Sequence, residues 1–168
     1  VTVAPERPEP APTGSEFEQL AGFLDFLRAT VEWKCAGLTD EQARRSLVPS
    51  ELTTVAGLLG HLVWVESYWF EVRIAGRPDP LAEELAADRD ADFRDGMRRP
   101  LDELLAAYRT QCARSREVVA GLDLDHTVPW RDTRVTLRWV LIHMIEETAR
   151  HAGHLDLLRE LTDGLTGE

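Results

Sequence analysis

Cysteine is scarce in this sequence: Cys35 and Cys112 stand far apart and form no Cys-x-x-Cys motif. They read as buried, reduced thiols of a cytoplasmic protein, and nothing beside either one would activate it as a nucleophile. Positive charge is also short, with 19 basic against 30 acidic residues and a formal charge of −11. That balance excludes nonspecific nucleic-acid binding and docking on an anionic membrane, both of which need a basic surface. No apolar run reaches the length of a membrane span, and the basic-then-apolar order of a secretory signal is not expected at the start. There is no internal repeat. What remains is 168 residues, enough for one domain with a real core.

Residues 1–14 hold four prolines and almost no large apolar side chain, so a mobile tail is expected there, with a single domain over 15–168. Ser15 with Glu18 forms a capping-box pattern, and Phe17, Leu20, Leu24, Leu27 and Val31 follow at helical spacing as far as about Ala36. A short capped helix is expected at Thr39–Leu47, before Pro49. A second long helix is expected from Thr53 or Thr54 to about Ala75. Arg77–Arg99 is acidic and weakly periodic: a long connection, with at most a short helix near Leu81–Ala87 and a reasonable candidate for a lid. A third long helix runs from about Pro100 to Gly121, and Thr127–Val135 fits a small two-stranded ribbon or a tight loop. The fold class is therefore all-α, a four-helix bundle with short accessory helices.

The last helix, Thr136–Glu160, holds three of the five histidines. At about 100° per residue, His143, Val140, Glu147, His151, His154 and Leu158 fall within an arc of roughly 80° that grades into the core-facing side. An unpaired charge on an inner face costs several kcal/mol or more, so something should compensate it, and a divalent cation is the simplest candidate. Glu147 and His151, four apart, can reach one ion from the same side. His61, on the apolar stripe of the second helix, is the remaining histidine able to face them. Two histidines and a carboxylate leave coordination positions open, as catalytic rather than structural sites do. The string is not His-Glu-x-x-His, so zincin chemistry does not transfer. His143 and His154 lie at the margin of the arc and read as outer or rim residues able to hydrogen-bond ligands or substrate. Trp69, two turns beyond His61 on nearly the same face, is placed to wall a pocket and meet a bound cofactor. Bland readings stand beside these: His61 as a satisfied core histidine, and Glu147 paired with Arg150 or an arginine from another helix.

Leu58-Leu-Gly-His-Leu-Val-Trp-Val-Glu-Ser-Tyr-Trp-Phe and Leu137–Glu160 resemble the two signature helices of the DinB-like superfamily. That superfamily includes damage-inducible DinB proteins, mycothiol-dependent maleylpyruvate isomerase and bacillithiol transferases. The resemblance covers about Glu16–Gly167 and is nearest to an actinobacterial-type branch. It implies an up-down-down-up bundle, often a homodimer, with a divalent ion held by three side chains. The superfamily's second-helix histidine falls on His61, and the Glu-x-x-x-His of isomerase-like members falls on Glu147 and His151. Many members have histidine where this chain has Glu147, and glutamine where it has His154. Zinc is the first expectation, and nickel or iron also accept such a set.

The function the resemblance implies is a metal-dependent transferase or isomerase that joins a low-molecular-weight thiol of the mycothiol type to a small electrophile. His154 or His143 would then shuttle a proton. A metal-dependent hydrolase using the same residues, and a non-catalytic metal- or ligand-binding stress-related dimer, are the alternatives.

Overall fold

The computed structural model describes residues 6–167. They are mostly helical, as the hydrophobic periodicity requires: α1 (Glu16–Cys35), α2 (Asp40–Ala43), α3 (Val55–Glu66), α4 (Ala82–Ala87), α5 (Ala91–Arg98), α6 (Leu101–Val119) and α7 (Leu137–Asp163). Helix starts follow side-chain caps. The Ser15 hydroxyl accepts from the Glu18 amide while Glu18 accepts back from the Ser15 amide. Thr39, Thr54 and Thr136 cap α2, α3 and α7 in the same sense. Gly164, at φ 76°, closes α7 in the left-handed conformation that glycine adopts without penalty.

Cross-links between the long helices fix their directions. Arg138 pairs with Glu16 where α1 and α7 begin, and Arg159 donates to the Lys34 and Ala36 carbonyls where α1 ends. These two helices are parallel. Arg109 meets Glu32 and Arg116 meets Asp25, so α6 runs against α1. His61 meets Glu147 while Trp69 lies 5.5 Å from Trp139, so α3 runs against α7. The order is up, down, down, up, as expected. The ribbon forms as β1 (Thr127–Trp130) paired antiparallel with β2 (Thr133–Thr136), with Val128 opposite Val135 on its buried face.

Two stretches differ from the sequence reading. The second long helix stops being α-helical at Glu66 and continues as a π-helix over Ser67–Ile74, with bonds such as Ala75 N–H to the Phe70 carbonyl. Such widened turns are rare and concentrate at functional sites. The 77–99 connection holds α4 and also an unexpected helix, α5, docked against α3. Its contact depends on two glycines. A Cβ on Gly60 would lie 2.5 Å from the Gly96 Cα, and one on Gly96 would lie 2.2 Å from the Ala56 carbonyl oxygen. Glycine in a helix costs about 1 kcal/mol relative to alanine, and here it permits a backbone approach that no other residue allows. The segment is thus a fixed wall beside α3. In residues 6–14, Arg7 lies over the Trp33 ring at 4.2 Å and Pro10 touches Gly22 of α1; residues 1–5 of the expected tail lie outside the described residues. Among the described residues no helix is long and apolar enough to cross a membrane.

The core is in two parts. One gathers Val31, Leu58, Leu62, Leu104, Tyr108, Leu155 and Leu158; the other Leu24, Val65, Trp69, Phe70, Leu137, Leu141 and Met144. On each long helix one buried polar residue falls at or next to the passage from one part to the other: Arg28, Glu66, Ser115 and Thr148. Arg28 binds Glu66 through two parallel hydrogen bonds of 2.7 Å, with both side chains almost wholly buried. Removing one member of such a pair strands the other. Arg28→Met is therefore expected to lower unfolding stability by about 3–5 kcal/mol, read from urea denaturation, and the double variant Arg28→Met/Glu66→Leu should recover much of the loss.

Candidate metal centre

Three side chains from two helices converge in the polar layer. His61 Nε2 lies 3.0 Å from Glu147 Oε1, and His151 Nε2 lies 3.2 Å from the same oxygen. The ligand atoms of the three all lie within 4.8 Å of one another. Their side chains are only 13%, 18% and 11% exposed, respectively. Around a tetrahedral zinc at 2.0–2.2 Å from each donor, neighbouring ligand atoms sit about 3.3 Å apart, so this donor set fits an ion with little movement. Among the described residues no other side chain offers the group a fourth ligand atom.

The positions follow from helix geometry. Glu147 and His151 are one turn apart on α7, so their side chains stack. His61 reaches them from the antiparallel α3, and its ring is set from behind by α5. Nδ1–H of His61 donates to Asp92 Oδ2 at 2.6 Å, and Phe93 stacks on the imidazole at 4.5 Å and 17°. Both residues lie within a turn of Gly96, so the glycine contact between α3 and α5 is what puts them there. A carboxylate on the far nitrogen fixes the tautomer and leaves Nε2 facing the site. Asp92 is 3% exposed, and its Oδ1 has no hydrogen-bond partner. The sequence reading passed over Asp92, which sits in a charged, weakly periodic stretch. The available signal was Gly60 beside His61, since a glycine inside a helix often marks a close backbone approach.

His151 has an outer partner as well. Its Nδ1 lies 3.3 Å from Nδ1 of the exposed His154. His154 thus joins the group at its rim. His143 does not: it stacks on Trp139 at 5.2 Å and 14° and meets the edge of Trp69 at 4.9 Å. Trp69 is 5% exposed and belongs to that aromatic cluster, a turn or more along the bundle from the three ligands. Glu146, not Glu147, takes Arg150.

The electrostatics follow from these contacts. Hydrogen bonds from His151 and then His61 hold the Glu147 carboxyl well below the usual carboxylate range. Burial disfavours a charged His61, but hydrogen bonds to Asp92 and Glu147 outweigh it and raise its pKa. Partial burial, then His151 and Arg150, push His154 down.

The profile of the Mycothiol-S-transferase family matches residues 19–164. The chain belongs to that family. This agrees with the DinB-like resemblance of its two signature helices and with the bundle topology. No curated protein matches the chain. Membership of that family implies a small-molecule substrate.

Two outcomes test the centre. With no metal bound, Glu147 stabilises the fold above the ordinary carboxylate range and loses that contribution as pH falls. His61 contributes below its ordinary value and loses the contribution as pH rises through its raised one. A metal must displace the proton on His61, so apparent zinc affinity, measured by chelator competition, should rise as pH rises above the ordinary histidine range. Asp92→Asn should weaken that affinity by about 10–100-fold while leaving the circular dichroism spectrum unchanged.

Proposed function

We propose that this protein is a metal-dependent mycothiol S-transferase that joins the thiol to a small electrophile. The observation that carries the reading is the convergence of His61 and His151 on one oxygen of Glu147, in a chain of the Mycothiol-S-transferase family. A divalent ion at that point, zinc first and nickel or iron as alternatives, would supply the Lewis acidity that favours the thiolate of a bound thiol at neutral pH.

The chain's own residues do the rest. His61 and Glu147 hold the ion's place from facing helices, and Asp92 keeps His61 turned toward it. The Nδ1–H of His151 donates to His154, which fixes the His151 ring with Nε2 inward. His154 is exposed, and with Nδ1 accepting from His151 its neutral ring carries its own proton on Nε2, so it positions His151 while the proton that the thiol gives up passes to solvent. The sulfur then forms a bond to the electrophilic carbon. The electron pair leaves with a departing anion or settles on an acceptor atom that takes a proton. The shell of three protein ligands, partly open to solvent, favours this over a structural site, which would be closed by a fourth.

Zinc-loaded protein incubated with mycothiol and a bimane electrophile should form the thioether well above the uncatalysed rate, as read by chromatography. Glu147→Ala and His61→Ala should lower that rate by about a hundredfold or more and remove the stoichiometric metal. If loaded wild-type protein makes no more thioether than buffer does, the transferase reading fails.

A further inference from the structure

A cleft of about 640 Å³ lies beside the metal centre and takes no part in holding it. Trp69, Trp130, Trp139 and His143 wall it, and Arg73 and Arg131 also face it. Trp64 lines it too, with its ring 6.3 Å from that of His61. The π-helical turns of Ser67–Ile74 deliver Trp69 and Arg73, and the β-ribbon delivers Trp130 and Arg131. The three tryptophan rings stand 5.2–5.8 Å apart at tilts of 39–55°, so they form a bowl and not a closed stack. Trp139 is 38% exposed in spite of its size.

The cleft's charged side chains are of one sign, in a chain of net charge −11. Arg28, Arg77, Arg116, Arg138 and Arg159 each hold a carboxylate. Among the described residues Arg73 and Arg131 hold none, which is also true of Arg45 and Arg114 elsewhere on the surface, but these two face the tryptophans. Arg73 donates to the Tyr68 hydroxyl, and its buried Nε has no partner. Arg131 lies 4.3 Å over the face of Trp130. It also occupies a left-handed backbone position, φ 53°, in the ribbon turn. Glycine or asparagine suits that position, and any other side chain is strained there. Among the described residues no carboxylate lines the cleft.

We propose that the cleft is the subsite for the electrophilic partner and that it selects a planar aromatic molecule carrying an anionic group. The ring would lie in the tryptophan bowl and the anion on the two free guanidiniums, which suit carboxylates and sulfonates. This rests on the transferase reading for its role in catalysis, but the binding itself requires neither metal nor thiol.

The test is a titration of metal-free protein with 1-naphthoate and with uncharged 1-naphthalenemethanol, followed by tryptophan fluorescence and calorimetry. Naphthoate should saturate at one site and bind about tenfold tighter than the alcohol, in line with one or two charge-assisted hydrogen bonds. Arg131→Gly removes the guanidinium and relaxes the turn, so it should keep or raise the melting temperature while cutting the preference for the anion severalfold. Trp139→Ala should weaken both ligands, and His61→Ala neither. Equal affinity for acid and alcohol, no saturable binding, or an unchanged preference in Arg131→Gly would overturn the proposal. Loss of thioether formation in His61→Ala with naphthoate binding intact would separate the subsite from the metal centre. A failed transferase assay on the wild type would sink the catalytic role and leave the binding result standing.

Discussion

A layer of ionisable side chains crosses the middle of this bundle, and the two apolar halves can close only because that layer is internally paired. Arg28 and Glu66 satisfy each other through two short bonds. Nearby, Glu147 takes two histidine nitrogens on one oxygen, and His61 hands its other nitrogen to Asp92. Charge taken out of water is costly unless geometry is good and remaining lone pairs are met. The layer meets most of that condition with partners drawn from α1, α3, α5 and α7 together, although Asp92 Oδ1 is left without one. Displacing any of these four helices along its axis would strand a charge, so the same pairing that fixes their register also gathers the three side chains of the candidate metal centre.

The close approach of α5 supports this arrangement from outside. Gly60 and Gly96 let two backbones touch, and from that contact Asp92 and Phe93 are brought onto His61. A ligand held from both faces is preorganised, and the ordering has been done by folding before anything binds. Further along α3 the backbone is deliberately less regular. The π-helical turns and the left-handed Arg131 are departures from low-energy geometry, and both feed the aromatic cleft. Irregular backbone gathered around one cavity is the pattern expected where binding, not stability, sets the sequence.

Much was legible in the residues themselves. The caps at Ser15, Thr39, Thr54 and Thr136 and the 3.6-residue periodicity placed the long helices, and the turn-like break between short strand patterns placed the ribbon. The shared arc of Glu147 and His151 on α7, with His61 on an apolar stripe, selected the three groups that meet. Two things were not legible. The arc put His143 at its margin as an outer residue able to hydrogen-bond a ligand, but spacing says nothing about which way a partly buried ring turns, and the tryptophans claim it. Nor could a short, charged helix such as α5 be found from periodicity, since its burial comes from glycine contact and a single aromatic.

By itself, then, the sequence determined an acidic, all-α bundle with a His/Glu/His set on two facing helices, because local capping and periodicity are properties of neighbouring residues. Only the tertiary structure decided that Asp92 orients His61, that His154 backs His151 while His143 and Trp69 join a separate aromatic cleft, and that Arg28 pairs with Glu66. Each of those contacts joins residues remote along the chain or sets a ring direction, and both depend on how the helices pack against one another.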